Sequence, residues 1–193
     1  MYPSSYFNKK RYFKNNRILF GGQHFLLESD KTEYSGFAMV LFNKQMSNLI
    51  HCPVTAKGSY SIPDTVVSID IEAFSQCKEL TSIVFPRNLK SIGCLAFENC
   101  ISLSSIIIPE SVRDMGYRMF SNCTGLRSIC MQSYSPKDIS FDNDIFYNVD
   151  IENCNLYVKY GTKKDYQRTN QLKDFKNIFE IVFYYEMVRC HGV

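Results

Sequence analysis

The chain has no tryptophan, only three histidines, and no apolar run near the ~18 residues that a membrane-spanning helix needs. Each absence removes a class of protein. Without such a run, a membrane span is excluded. The apolar run nearest the start, Ile18-Leu19-Phe20, is too short for the apolar region of a secretion signal, so none is visible. His24, His51 and His191 are scattered, and no Cys-x-x-Cys pair occurs, so zinc-site spacing is missing. Asp142 and Asp144 do not fall in an EF-hand pattern and suit a solvated turn. Gly161-Thr162-Lys163-Lys164 lacks the glycine-rich loop that cradles a phosphate. His51 and Cys52 are adjacent, but on a strand their side chains point to opposite faces. No catalytic, cofactor or metal residue is therefore assigned, and a non-enzymatic protein is expected.

What is present is a folded composition, 45% hydrophobic and 21% charged, with 13 Tyr and 15 Phe. The net charge of +3 exerts no global pull toward nucleic acid or membrane. Lys9, Lys10, Arg11, Lys14 and Arg17 lie among Tyr2, Tyr6, Phe7, Tyr12 and Phe13 with no acid nearby. Basic residues among aromatics suit a nucleic-acid arm. They equally suit a frayed terminus or the end of an earlier repeat, and this plainer reading is preferred because no stacking fold surrounds them.

The dominant signal is a sentence written three times, 23 residues apart. Ile62-Pro63, Phe85-Pro86 and Ile108-Pro109 open it. Ile69, Ile92 and Met115 follow, then Ala73-Phe74, Ala96-Phe97 and Met119-Phe120. Cys77, Cys100 and Cys123 come next, then Leu80, Leu103 and Leu126, and Ile83, Ile106 and Ile129. A fixed period of this size marks a solenoid whose turns bury their apolar faces against one another.

Stacking puts equal residues in columns. The cysteine column then reads as core: its side chains are parallel, do not meet as a disulfide requires, and behave as small hydrophobes. Of the remaining cysteines, Cys130 and Cys154 are placed to approach each other across the last turn. Cys77 and Leu80 at three-residue spacing suit a short helix or 3-10 turn. Leu80 to Phe85 alternates as a strand, with Ile83 and Phe85 inward. Its outward columns are Ser82/Ser105/Ser128 and Val84/Ile107/Cys130. These six residues are the candidate partner-binding set. An apolar outward column suits a contact surface, although β-branched residues also simply suit exposed strand positions.

The pattern Ile62-Pro63…Val66…Ile69…Ala73-Phe74…Cys77…Leu80…Ile83 resembles the BspA-like leucine-rich repeat of bacterial surface proteins. Tyr34, Val40 to Lys44, Leu49-Ile50 and Tyr60 to Pro63 resemble the hairpin-type repeat that interrupts such arrays. Leu156-Tyr157-Val158…Gly161-Thr162…Tyr166…Phe175 to Ile178 resembles their C-terminal cap. The resemblance implies an α/β solenoid, a right-handed leucine-rich-repeat coil with short strands, 3-10 or helical turns, an N-terminal β-hairpin repeat and a C-terminal helical cap. Within that cap, Thr162 to Asp165 reads as a capping box with Asp in place of Glu. Leu172 stands where the cap's tryptophan is usual, and Met115 and Met119 loosen the third turn. From Ile129 to Leu156 the spacing is 27 residues, so a longer loop from Pro136 to Asp144 is expected, with Phe146 as that turn's central ring.

The expected organisation is a basic and aromatic segment at 1–24, an incomplete turn with Phe25 to Glu28 and the hairpin repeat at 25–61, regular repeats at 62–131, an irregular repeat with the cap at 132–180, and a tail at 181–193. The resemblance implies a cell-surface or secreted binding module that engages a protein, such as host matrix or another cell's surface, or a glycan. The alternative is a structural spacer or scaffold. A monomer is expected, without cofactor, nucleic acid or membrane span, and the chain reads as the C-terminal part of a longer array.

Overall fold

The computed structural model describes residues 12–14, 17–20, 23–26 and 40–182. Two compact units divide the chain, Met1–Gly36 and Phe37–Val193. In the first, β1 (Tyr12–Lys14), β2 (Arg17–Phe20) and β3 (Gln23–Leu26) form an antiparallel sheet in that order. Phe25 and Leu26 thus pair antiparallel with β2, not as a parallel solenoid strand; Leu27, Glu28 and Tyr34 lie outside the described residues.

The second unit is a solenoid built of β4 (Leu41–Phe42), β5 (Asn48–His51), β6 (Lys57–Ser61), β7 (Ser68–Ile69), β8 (Glu79–Val84), β9 (Ser91–Ile92), β10 (Ser105–Ile108), β11 (Asp114–Met115), β12 (Ser128–Met131), β13 (Ser140–Phe141), β14 (Asn155–Lys159) and β15 (Asn177–Ile181). Strands β6, β8, β10, β12, β14 and β15 form one wholly parallel sheet in that order. Strands β5, β7, β9, β11 and β13 form a second parallel sheet. At its N-terminal end β4 turns back antiparallel on β5 as a hairpin.

The 23-residue period fixes the register: Ser105, Ile106 and Ile107 pair with Ser128, Ile129 and Cys130. Inward columns follow from it. Leu80, Leu103 and Leu126 are wholly buried, as are Phe74, Phe97 and Phe120, and Leu156 is wholly buried in the Ile129 column. Burying each such side chain contributes about 1.5–3 kcal/mol. The phenyl rings stack into a spine: Phe74 on Phe97 at 4.9 Å, Phe97 on Phe120 at 5.5 Å, and Phe120 on Phe146 at 5.9 Å between centroids. Phe146 does supply the longer turn's central ring, and Phe175 meets it edge-on at 5.2 Å.

The expected short helix or 3-10 segment on the third side is a run of turns instead. Cys77 N–H does bond back to the Phe74 carbonyl, and Leu80 N–H to that of Cys77. Alternate amides, however, are spent between turns: Phe74 N–H bonds Ala96 O at 2.7 Å and Gln76 N–H bonds Glu98 O at 2.8 Å. A helix needs those donors for itself. The backbone also enters the left-handed region twice per turn, at Glu72, Leu95, Arg118 and Asp144 and again at Gln76, Asn99, Asn122 and Asn148. Such residues interrupt a right-handed helix. Gly116 lets the turns close: a Cβ there would stand 2.5 Å from the Cys94 backbone nitrogen.

The C-terminal cap holds one helix, α1 (Lys163–Tyr166), the single α-helix among the described residues. The chain then runs through turns into β15, which extends the parallel sheet, so the cap is mostly strand and turn. Its expected capping box does not form. Thr162 Oγ1 donates back to the Lys159 carbonyl at 2.6 Å, and Lys163 N–H is taken by the Glu180 carboxylate at 2.9 Å. The end of the core is covered by Tyr166 and Leu172, both fully buried. The region from Pro136 to Asp144 is more than a loop: a 3-10 turn, Pro136–Asp138, leads into β13.

Candidate functional site

The outer face of the parallel sheet carries the candidate residues. Outward positions along each strand alternate with the buried Ile and Leu columns. The first outward column is Ser59, Ser82, Ser105, Ser128, Asn155 and Asn177; the second is Ser61, Val84, Ile107, Cys130, Tyr157 and Phe179. Ser82, Ser105 and Ser128 are half-buried, Val84 is 45% exposed, and Ile107 is half-buried.

Cys130 departs from expectation. It holds the outward register but is 2% exposed. It packs with Ile107, Tyr157 and Ile181, so its small thiol sits low between larger neighbours. Cys130 is therefore part of the floor of this face and not a contact point. It does not pair with Cys154 either, because both are free thiols.

Two residues beyond the candidate set complete the column. Tyr157 stacks on Phe179 at 5.6 Å with 28° between the ring planes, and Phe179 is 47% exposed. Both were legible in principle: placing Leu156 and Ile178 in the Ile129 column moves Tyr157 and Phe179 into the Cys130 column. The longer last turn hid that alignment. Beside them, Lys159 Nζ lies 2.9 Å from Glu110 Oε2 and 3.3 Å from the centroid of the Tyr134 ring. The bond from Lys159 holds the Glu110 carboxyl below its usual range. The two outward columns themselves contain no charged residue.

On the turn side, Arg118 stacks over Tyr147 at 4.1 Å and over Tyr117 at 5.1 Å, and lies 3.5 Å from Asp144. These contacts fasten the third turn to the longer one after it.

The cysteine column is internal. The Cys77 thiol donates to the Pro53 carbonyl at 3.4 Å, Cys100 to that of Phe74 at 3.2 Å, and Cys123 to that of Phe97 at 3.0 Å. Each thiol thus satisfies a carbonyl of the preceding turn, a task that a purely apolar side chain does not perform. Among the described residues, no group of three or more His, Cys, Asp or Glu is arranged to hold a metal ion. Burial pushes Cys123 and Cys154 from 9.0 up to about 12, and raises Cys100 as well. Their neutral form is favoured in the fold, so the associated stability is complete below about pH 9 and is lost as pH rises toward 12. A denaturation series from pH 8 to 12 is expected to show that decline, and replacing Cys123 by Ala to make it shallower, with Cys100 and Cys154 supplying the remainder. A flat profile in the native chain would contradict the assignment.

A family model for the BspA type leucine rich repeat region matches residues 54–183 in six copies. The chain belongs to the BspA-type leucine-rich repeat family. A search of curated proteins gave no match. Among solved structures, this BspA-type chain is similar to a leucine rich cell surface protein from Faecalibacterium prausnitzii, at 23% identity and a TM-score of 0.53, over 74% of this chain and 37% of that one. A leucine-rich repeat protein from Eubacterium ventriosum matches at 24% identity and a TM-score of 0.48, over 62% of this chain. One from Bacteroides ovatus matches at 28% identity and a TM-score of 0.44, over 52%. The BspA-type chain spans 31% and 24% of the lengths of these last two. The F. prausnitzii match shows the solenoid fold. Among the described residues, no helix is long and apolar enough to cross a membrane.

Proposed function

We propose that this BspA-type chain is a non-enzymatic binding module of a cell-surface or secreted protein, acting in adhesion as a right-handed coil and a monomer. Its contact surface is the outer face of the parallel sheet. One observation carries the reading: Val84, Ile107, Tyr157 and Phe179 form an apolar outward column with Val84 and Phe179 about half exposed, although the inward columns already supply the core. The F. prausnitzii protein, described as a cell surface protein, supports the location.

The test is retention of the chain on immobilised extracellular material. Val84→Lys and Ile107→Lys are expected to weaken binding at least tenfold; the change at exposed Val84 should leave thermal unfolding within about 0.5 kcal/mol, whereas Ile107→Lys also loses packing against Cys130 and costs more. Retention indifferent to both substitutions would favour a rigid spacer instead.

A further inference from the structure

The outer sheet face offers more than apolarity. Its two columns differ in chemistry and run side by side across six strands. One presents hydroxyls and amides: Ser59, Ser82, Ser105, Ser128, Asn155 and Asn177. The other ends in two stacked aromatic rings, Tyr157 and Phe179. Neither contains a charge, and the nearby Lys159 is matched by Glu110 at 2.9 Å. From these features, and resting on the reading of this face as the contact surface, we infer that it binds a neutral, extended polysaccharide laid across the strands.

The chemistry of such a chain matches the columns. A pyranose ring with equatorial substituents has two apolar C–H faces and a rim of hydroxyls. The C–H faces pack on aromatic rings, whose π-faces are weakly negative. The hydroxyl rim needs donors and acceptors, which serine hydroxyls and asparagine amides both supply. Strands repeat every ~4.8 Å, so successive polar side chains meet successive hydroxyls along an extended chain. The neutrality of the face matters too. An acidic polysaccharide would find no cation along either column.

The geometry sets polarity along the face. Phe179 lies on β15, the last strand of this sheet, and its outer ring face has no further strand beside it among the described residues. Asn177 precedes it by two residues and points to the same side. Tyr157, Phe179 and Asn177 thus form the strongest subsite, and Val84 and Ile107 extend it toward the N-terminal end. Asn177 Nδ2 already donates to the Glu152 carbonyl at 3.1 Å, which holds its amide in place.

The experiment titrates the full chain with hexasaccharides of β-1,4-linked glucose and of β-1,4-linked N-acetylglucosamine, and with a sulfated polysaccharide. Binding is read by calorimetry; tyrosine emission sums over all 13 tyrosines, so only a change lost in Tyr157→Phe is assigned to Tyr157. Saturable binding of at least one neutral hexasaccharide is expected, with weak or no binding of the sulfated chain. Phe179→Ala is expected to weaken it at least fivefold, and Asn177→Ala threefold or more. Phe179 is half exposed on an edge strand, so its removal leaves the core intact, which unchanged thermal unfolding would verify. Absence of neutral-sugar binding, or binding that Phe179→Ala leaves unaltered, overturns the inference. If Val84→Lys still abolishes retention on extracellular material in that case, the face binds a protein, and only the sugar assignment fails. If neither ligand responds to Val84→Lys, the contact surface itself is misassigned.

Discussion

Phe97→Ala is expected to lower unfolding stability by about 3–5 kcal/mol, the range for removing a buried aromatic ring. Phe97 is wholly buried and touches three other rings: Phe74 and Phe120 stacked on its faces, and Phe85 at 5.7 Å edge-on. Its loss leaves a gap lined by the faces of Phe74 and Phe120 and by backbone that the ladders between turns hold in place. The N–H of Phe97 bonds Met119 O at 2.9 Å and its carbonyl accepts the Cys123 thiol, so the surrounding turn cannot collapse inward without breaking both. Because each turn contacts only its neighbours, a weak interior turn also divides the array. Chemical denaturation should therefore show a lower midpoint and a broader transition than the native chain. Phe97→Leu, which keeps most of the volume, should recover more than half of the loss. A cost below about 1.5 kcal/mol for Phe97→Ala would mean that the ring spine is not a principal source of stability.

This spine is legible in the sequence through its columns. Phe74, Phe97 and Phe120 recur at 23 residues, and Phe146 follows at 26, close enough to imply the same role. The left-handed positions divide into a legible and an illegible set. Gln76, Asn99, Asn122 and Asn148 are mostly asparagine, which tolerates positive φ, so the composition itself signals the turn. Glu72, Leu95, Arg118 and Asp144 adopt the same backbone with no shared chemistry. There the ladder between turns dictates the conformation, and a single sequence carries no trace of that. The missing helices have the same cause. Three-residue spacing of Cys77 and Leu80 reads as helical, yet it also describes consecutive turns whose intervening amides bond across the stack.

The candidate site was legible where the period held and lost where it slipped. Ser82, Val84, Ser105 and Ile107 face outward as their spacing requires. Cys130 shares their register, but its exposure depends on Tyr157 and Ile181, which arrive only after the longer turn. Register is local to a pair of strands, whereas burial depends on every side chain tall enough to lean over. A column can therefore be read from the sequence sooner than its surface can. The capping box is lost to competing partners: the Thr162 hydroxyl donates back to the Lys159 carbonyl, and the Asp165 N–H that the motif assigns to that hydroxyl bonds the Thr162 carbonyl instead.

The cap gives the sharpest contrast with the interior. Tyr166→Ala is expected to cost about 3–5 kcal/mol as well, but with the loss concentrated at one end. Tyr166 is fully buried, and its hydroxyl donates to the Ser133 carbonyl at 3.0 Å. It is the buried residue of α1, a four-residue helix without a side-chain cap. So short a helix has no stability of its own, because nucleation costs more than one turn returns. The ring of Tyr166 is thus what seats α1, and α1 with Leu172 and Phe175 closes the core. Removing it should open β14 and β15 while β8 and β10, three and more strands from the end of the sheet, keep their partners. Hydrogen exchange resolved by peptide would register this as faster exchange confined to residues 155–181. Tyr166→Phe keeps the ring and loses one hydrogen bond, leaving the Ser133 carbonyl without its donor, at about 1–3 kcal/mol. Uniform acceleration along the whole solenoid after Tyr166→Ala would show instead that the cap and the interior turns unfold as one unit, and that stability here is not a sum over neighbouring turns.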